Sequence, residues 1–290
     1  MEVWSHDRWS IPLPEGHKFP ITKYALLRER VQDRVTVLES EAVPWDWLAA
    51  VHDDDLLGRI RDGRLTLREE RGLGLPWSEV LVERGRRSVG GTVSAARRAL
   101  RHGIGMNLGG GTHHAGKDFA RGYCLFNDVA VTVAQLRAEG LIRRVLVVDC
   151  DVHQGDGTAQ ILGPDPDAFT LSLHGARNYP FERIPSDLDV EIPSGTGDDD
   201  YLALLDQALD SALPDDYDLA FYLAGADPWE GDRLGRLSLT KPGLRARDEL
   251  VLRRLRGIPT TVVLAGGYAP DPADTVDINA ATLDVVLSLS

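Results

Sequence analysis

The stretch that decides the fold is Val145-Leu146-Val147-Val148-Asp149-Cys150-Asp151-Val152-His153-Gln154-Gly155-Asp156-Gly157. Its first four residues are β-branched or leucine, which is typical of a central parallel strand covered on both faces. The chain then turns polar: Asp149, Asp151 and His153 stand at alternate positions and project to the same side of an extended backbone. Because ligands bind beyond the carboxyl ends of strands in open α/β sheets, we expect a functional site here.

Asp151 and His153 offer a carboxylate oxygen and an imidazole nitrogen to one divalent metal ion. The competing interpretation is a strand end with solvated acids and a hydrogen-bonded histidine. Asp227, which follows another apolar run, adds a third candidate ligand. Three protein ligands with an open position are typical of a catalytic rather than a structural metal site.

The composition limits the class of protein. A chain of 290 residues with 43% hydrophobic residues can form one large α/β domain or two small ones. The net charge of -13 argues against direct nucleic-acid binding and favours cationic substrates only as a long-range bias. Two cysteines imply no disulfide framework, and Cys150, alternating with two aspartates, should face the core.

The hydropathy pattern predicts a soluble, cytoplasmic protein. The amino-terminal segment lacks a basic flank followed by an apolar run, so we expect no signal peptide. No stretch is long and apolar enough to predict a membrane span.

Strands and helices alternate in the second part of the chain. Strands are predicted at 34–38, 104–108, 144–148, 168–173, 219–223 and 260–265. Helices are predicted at 21–31, 126–137, 201–213, 242–256 and 275–287, with a broken helical pattern over 43–102 in which Thr92 is a candidate N-cap. Residues before 21 look irregular. Without a linker or repeat, the pattern predicts a single domain over 1–290, a three-layer α/β/α fold with a mostly parallel central sheet.

The run 109–115, Gly-Gly-Gly-Thr-His-His-Ala, provides a second candidate feature. Glycines let a backbone approach a ligand closely, and His113 and His114 offer two imidazoles for proton transfer near neutral pH. Paired loop histidines are also often merely exposed. A nucleotide-binding loop fits the spacing of 111–117, but Asp118 stands where that motif requires Ser or Thr.

Two aromatic motifs follow. Tyr123, after Gly122, could line an apolar channel or simply pack under a helix, and Tyr268 follows Gly266-Gly267 on a turn. A lone tyrosine beside glycines is usually structural, so the weight given to Tyr268 comes from the neighbouring strand ends. A parallel sheet brings all of these strand ends to one edge.

Together these residues resemble the histone deacetylase family, which has an arginase-like α/β fold. Four motifs occur in the family's order: the His-His pair, the Asp-x-Asp-x-His-x-Gly-Asp-Gly stretch, Gly-Ala-Asp at 225–227 and Gly-Gly-Tyr at 266–268. The resemblance covers most of the chain. The segment 230–235 is most similar to the class IV branch.

The resemblance implies that Asp151, His153 and Asp227 bind Zn²⁺, which would polarise an acyl carbonyl and lower the pKa of water. It implies that Tyr268 donates a hydrogen bond to the developing oxyanion. An arginase-like two-metal cluster is less favoured, since one zinc with a His-His pair fits these residues better.

The resemblance also assigns roles to the histidine pair. His114 would be the general base and then the acid that protonates the leaving amine, and His113 would act mainly electrostatically. Asp149 and Asp156 would orient His113 and His114, respectively.

Other positions match the family less specifically. Gly122 and Tyr123 fall where the family lines an acyl-lysine tunnel. A monovalent-cation site for K⁺ or Na⁺ is implied by a further set of residues: Asp149, Asp151, His153, Ser172 and Leu173. Two departures bear on substrate preference: Gln154 replaces a second histidine, and 179–181, Tyr-Pro-Phe, is a candidate for the opposite tunnel wall.

The sequence therefore predicts a zinc-dependent amidohydrolase that removes an acyl group from acyl-lysine in a peptide or protein. The alternatives are a small-molecule deacylase, for example for acetylated polyamines, and a non-catalytic module that binds acylated lysine. A degenerate binding module should lack a metal ligand, the general base or the tyrosine, and this chain retains all of them.

Overall fold

The computed structural model describes residues 1–213 and 216–289. Within these ranges the strands are β1 Glu2–Ser5, β2 Thr36–Glu39, β3 Ile104–Asn107, β4 Val145–Asp149, β5 Ala168–Gly175, β6 Leu188–Ile192, β7 Leu219–Gly225 and β8 Thr260–Ala265. They form one sheet in the order β2-β1-β3-β8-β7-β4-β5-β6, and every described pairing is parallel. The sequence predicted a mostly parallel sheet; every pairing described is in fact parallel.

The helices of the described ranges are α1 Lys23–Val31, α2 Trp45–Ala49, α3 Asp54–Arg61, α4 Leu67–Leu73, α5 Glu79–His102, α6 Asp128–Ala138, α7 Asp156–Leu162, α8 Asp198–Ala212, α9 Lys241–Arg254 and α10 Pro272–Leu289. No helix in this part of the chain has the length and apolar character needed to cross a bilayer.

The strand β4 shows why the sheet is covered on both faces. Val145 and Val147 pack in one cluster with residues of α5 and α6, whereas Leu146 and Val148 pack in another with residues of α1, α8, α9 and α10. Alternate side chains of a strand point to opposite faces, so an unbroken apolar run requires two helical layers. The three-layer α/β/α prediction is confirmed. Cys150 is fully buried, as expected.

The beginning of the chain differs from the prediction. Residues expected to be irregular include β1, which pairs with both β2 and β3. Its four residues are too few to show a periodicity, so the strand forms because of its neighbours in the sheet rather than from a local pattern. The prediction also missed β6 and α7.

The predicted N-cap at Thr92 is wrong. Helix α5 begins much earlier, where Ser78 Oγ accepts a hydrogen bond from Leu81 N at 3.1 Å. Thr92 lies inside this helix, fully buried, and its hydroxyl donates to Asp128 Oδ2 at 2.6 Å. Gly90, also inside this helix, permits a close approach: a Cβ there would lie 1.8 Å from the carbonyl oxygen of Glu41.

Candidate active site

The three predicted metal ligands converge beyond the carboxyl ends of β4 and β7. Asp151, His153 and Asp227 are buried, and one ligand atom from each lies within 4.8 Å of the others. His153 Nδ1 is 2.9 Å from Asp151 Oδ1 and 3.3 Å from Asp227 Oδ2. Among the described residues, this is the one group of three or more potential ligands with this geometry.

The donor set fits a divalent metal. Asp227 Oδ1 accepts a hydrogen bond from Val152 N at 2.9 Å, but the buried Oδ2 has no hydrogen-bond partner among the described atoms. Buried carboxylate oxygens are normally paired, so an orphaned one beside an imidazole is suited to a cation. Two carboxylates and one imidazole match the oxygen and nitrogen ligands that zinc accepts.

Gly266 supplies the space around this group. Its φ of +55° lies in the left-handed region, and a Cβ at this position would sit 2.1 Å from Asp227 Oδ2 and 2.7 Å from Asp151 Oδ2. The turn after β8 can therefore close over the two carboxylates only with a glycine here. The cradle that a side chain would fill is a second observation consistent with a bound ion.

The charges of the cluster support the same conclusion. Burial and the neighbouring Asp151 raise the pKa of Asp227 to about 6. Burial lowers the pKa of His153, but the adjacent carboxylates of Asp151 and Asp227 outweigh this effect and raise it to about 10. Burial opposes the charge on Asp151, yet the positive charge of His113 and the contacts from His153 hold its pKa below the usual range. The pocket thus favours positive charge beside its carboxylates.

The histidine pair lies against this cluster. The His113 and His114 ring centroids are 4.1 Å apart, and that of His114 is 5.8 Å from the His153 ring. His113 Nδ1 donates to Asp149 Oδ2 at 2.6 Å, and His114 Nδ1 donates to Asp156 Oδ1. Each histidine is thus paired with its own aspartate through Nδ1, which leaves both Nε2 atoms free of those aspartates.

The two histidines differ in charge. Burial opposes protonation of His113, but the carboxylates of Asp149 and Asp151 raise its pKa to about 9. Burial, together with the charge of His113, lowers the pKa of His114 to about 4 despite the bond to Asp156. A neutral His114 beside a charged His113 is the arrangement needed for a proton acceptor at neutral pH.

Arg121 and Asp128 support this pair, and the sequence reasoning singled out neither. Arg121 Nε donates to Asp156 Oδ2 at 2.6 Å, so both oxygens of that carboxylate are engaged. Asp128 accepts from Gly111 N at 3.0 Å and from Thr112 N at 2.8 Å, which fixes the loop that carries the histidines. The only local signal for Asp128 is its place beside Asn127, which caps helix α6.

A pocket of about 450 Å³ opens onto these groups. His114, His153 and Tyr268 line this pocket, and so do Gly122, Tyr123, Tyr179 and the exposed Phe181. Tyr123 has a φ of +66°, the one positive value at a described residue other than glycine. Such strained residues are concentrated at binding sites. Gly122 and Tyr123, expected to line a tunnel, thus lie around the same pocket as Tyr179 and Phe181 of the segment expected to form its opposite wall; their role towards a substrate stays a prediction.

Tyr268 is held by two residues that the sequence reasoning missed. Its backbone N–H donates to Asp232 Oδ2 at 2.6 Å. The Lys23 ammonium donates to the carbonyl of Gly267 at 3.1 Å, also donates to that of Gly266, and lies 5.3 Å from the Tyr268 ring centroid. Burial raises the pKa of the Tyr268 phenol well above its ordinary value. The phenol therefore remains a hydrogen-bond donor at neutral pH.

The residues implied for a monovalent cation lie side by side. Asp149 on β4 is the register partner of Ser172 on β5, and Leu173 follows it. Ser172 Oγ is 3.0 Å from His174 Nδ1, and Asp149 Oδ1 accepts from Asp151 N at 3.0 Å. Binding of K⁺ or Na⁺ here stays a prediction. Gln154, the departure from the family, donates to Asp189 Oδ1 at 2.9 Å and lies beside this strand pair.

The chain is similar in sequence and fold to known proteins. An uncharacterised protein of Picosynechococcus is 41% identical over 279 residues, which is 93% of each chain. Histone deacetylase 2 of Arabidopsis thaliana is 37% identical over 197 residues, covering 66% of this chain and 51% of that protein, so the match spans about half of the plant relative. The crystal structure of an HDAC homolog complexed with SAHA has a TM-score of 0.84 at 22% identity, covering 98% of this chain and 83% of that one. The sequence profile of the histone deacetylase domain matches residues 16–282, and the chain belongs to the histone deacetylase family.

Proposed function

We propose that this chain is a zinc-dependent amidohydrolase that removes an acyl group from acyl-lysine. One observation carries the proposal: His114, His153 and Tyr268 line one pocket, and His153 lies beside the buried Asp151 and Asp227. A metal cluster, a proton acceptor and a phenol donor around one cavity are the groups that amide hydrolysis requires. Deacetylase relatives support the same reaction class.

Asp151, His153 and Asp227 would hold the zinc. When bound, zinc supplies Lewis acidity that polarises an amide carbonyl and makes water a better nucleophile at neutral pH. Nδ1 of His153 lies 3.3 Å from Oδ2 of Asp227, and that oxygen has no hydrogen-bond partner among the described atoms.

The protein's own groups would move the proton. His114, neutral and held through Nδ1 by Asp156, has Nε2 available to accept a proton from the attacking water. The same nitrogen would then deliver that proton to the leaving lysine amine. His113, kept positive by Asp149 and Asp151, would stabilise negative charge that develops nearby and disfavour protonation of His114 before the reaction.

Tyr268 would donate its phenolic hydrogen bond to the acyl oxygen as negative charge develops on it. Lys23 and Asp232 fix the turn that carries the ring. The pocket walls formed by Tyr123 and Tyr179 would exclude water from the acyl chain. We also propose that the chain is related to the class IV branch of the family, because the segment 230–235 is similar to that branch. Asp232, which accepts a hydrogen bond from the backbone of Tyr268, lies within this segment.

The test is hydrolysis of a panel of lysine peptides, from acetyl to myristoyl, together with acetylated polyamines, by zinc-loaded protein. Turnover that disappears in His114→Ala supports the hydrolase, and the preferred substrate separates a lysine deacylase from a small-molecule deacylase. Zinc-loaded protein that binds acyl-lysine peptides without hydrolysing any of them would contradict the proposal and favour a binding module.

A further inference from the structure

The mouth of the pocket has a charge opposite to that of the chain as a whole. The protein carries 45 acidic and 32 basic residues, for a net charge of -13. Nevertheless, the residues that line the pocket include Arg71, Arg177 and Arg236, and no aspartate or glutamate is among the described lining residues. The two carboxylate ligands of the proposed metal lie deeper, beneath this opening.

The three arginines reach the mouth from separate parts of the chain. Arg71 is in the last turn of α4, Arg177 follows β5, and Arg236 lies between β7 and α9. All three are exposed, and no ion pair in the described part of the chain involves any of them. Other arginines are paired within the protein, for example Arg59 with Glu69 at 2.7 Å. The mouth therefore presents guanidinium groups whose charge is not neutralised by the protein.

Guanidinium groups bind carboxylates through paired N–H donors and repel ammonium groups. The acyl group of a substrate enters the inner pocket, so the part of the substrate that bears the amine remains at the mouth. A cationic substrate would place its positive charges beside the three arginines, whereas an anionic one would pair with them. The long-range field of the chain favours cations, but at contact distance the nearest charges dominate because salt screens beyond about 10 Å.

We propose that the substrate is an acylated amine with carboxylates close to the acylated nitrogen, and that Arg71, Arg177 and Arg236 select it. This inference rests on the proposed hydrolase function and specifies its substrate class. It disfavours acetylated polyamines and lysine-rich tails. The carboxylates belong either to Asp and Glu side chains that flank an acyl-lysine in a peptide or to the α-carboxylate of free acyl-lysine, and both present the same chemistry to the arginines.

Matched peptides test the inference. Acetyl-lysine flanked by Asp, by Ala or by Lys is compared with free Nε-acetyl-lysine and an acetylated polyamine, using zinc-loaded protein at low and high salt. Because single exposed ion pairs are weak, three together should give the Asp-flanked peptide an advantage of about 10-fold in kcat/KM over the Lys-flanked one, mostly through KM. The advantage should shrink at high salt. A free acyl-lysine preferred over every peptide would identify the α-carboxylate as the source of the charge.

The decisive comparison is between two triple variants that remove equal charge. Arg71→Gln, Arg177→Gln and Arg236→Gln together should reduce the Asp-over-Lys ratio to about 2-fold or less. The control replaces Arg101, Arg253 and Arg256 with Gln; these exposed residues lie near the amino ends of the strands, at the opposite edge of the sheet. The control variant should keep the wild-type Asp-over-Lys ratio in kcat/KM. It changes the net charge by the same amount, but its substitutions lie far from the mouth of the pocket.

Equal turnover of the peptides by the wild-type protein, or equal ratios in the two triple variants, would overturn the inference while leaving the hydrolase proposal intact. Absence of turnover on every substrate would instead contradict the proposed function. In that case, the affinity of the protein for the same peptides, measured by fluorescence anisotropy, still tests whether the three arginines select anionic substrates. Tighter binding of the Asp-flanked peptide, lost only in the mouth variant, supports the selection by arginines, and indistinguishable binding overturns it.

Discussion

The buried guanidinium of Arg247 donates a hydrogen bond from Nη1 to the backbone carbonyl of Gly225 at 2.5 Å. Gly225 ends β7, two residues before Asp227, and the same nitrogen lies 3.4 Å from the carbonyl of Cys150, next to Asp151. The charge of Arg247 is balanced by Asp248, whose Oδ1 accepts from Nη2 at 2.8 Å. One side chain of α9 therefore joins the two backbone segments that carry the proposed carboxylate ligands.

Replacing Arg247 by Lys should weaken zinc binding by about 10-fold, because one ammonium group cannot reach both carbonyls and groups that orient metal ligands typically matter to this degree. The measurement is the zinc Kd, by competition with a chelating dye. Arg254→Lys is the control on the same helix, since its partners Asp206 and Asp210 are at the surface. Equal zinc affinities in the two variants would show that Arg247 does not position the ligands.

Gly266→Ala should abolish zinc binding while leaving a folded protein. The added methyl would lie 2.1 Å from Asp227 Oδ2, where the proposed metal ligands converge. Gly140→Ala is a matched control, because its φ of +68° imposes similar backbone strain and nothing lies within 4 Å of the added Cβ. Zinc content by elemental analysis and unfolding by circular dichroism separate the two effects. A Gly266→Ala protein that retains full zinc would contradict the assigned cluster.

Tyr268→Phe should lower kcat by about 100-fold with little change in KM, because the lost hydrogen bond is needed mainly in the transition state. Zinc content should remain at the wild-type level, since the phenol is not among the proposed ligands. Steady-state kinetics on an acetyl-lysine peptide provides the measurement. Normal turnover in this variant would remove the oxyanion role from Tyr268.

Protonation of the buried His52 should lower the free energy of unfolding in mild acid. Burial lowers its pKa from the ordinary 6.5 to about 4, and it accepts from Asn127 N at 3.0 Å while Nδ1 donates to the Gly116 carbonyl at 2.8 Å. Because the folded-state pKa is the lower one, the unfolded chain binds the proton more readily. The stability that the neutral ring provides is thus full above pH 6.5 and is lost as the pH falls towards 4.

The difference between these two pKa values corresponds to about 3 kcal/mol at the acid end of the range. His52→Gln removes the titration, so urea unfolding should show a smaller decrease in stability for this variant than for the wild type between about pH 7 and about pH 5. Parallel decreases in the two proteins would show that His52 is not responsible.

The sequence predicts the features that depend on local pattern. An apolar run that ends in Asp149, Asp151 and His153 indicates both a buried strand and a site at its end, since pattern and spacing are contained in one short segment. The paired glycines before Tyr268 are another local signal. These are also the positions at which the resemblance to the family is most specific.

The supporting residues could not be predicted because their partners are distant in the chain. Lys23 contacts carbonyls at Gly266 and Gly267, more than 240 positions away, and Arg247 reaches Cys150, 97 positions away. Neither lysine nor arginine has a sequence signature for capping a remote carbonyl. Thr92 was instead given a local role that it does not have. Threonine is suited to an N-cap, but Thr92 lies inside a helix, where its hydroxyl donates a hydrogen bond to the distant Asp128.

Asp151, His153 and Asp227 are proposed to bind a zinc ion on which deacylation depends. The most direct measurement is acetate release from an acetyl-lysine peptide by protein stripped with a chelator, before and after the return of one equivalent of zinc. We expect no release from stripped protein, recovery with zinc, and no recovery in Asp227→Asn. Turnover that persists in protein shown to be free of metal, or full recovery in Asp227→Asn, would contradict this proposal.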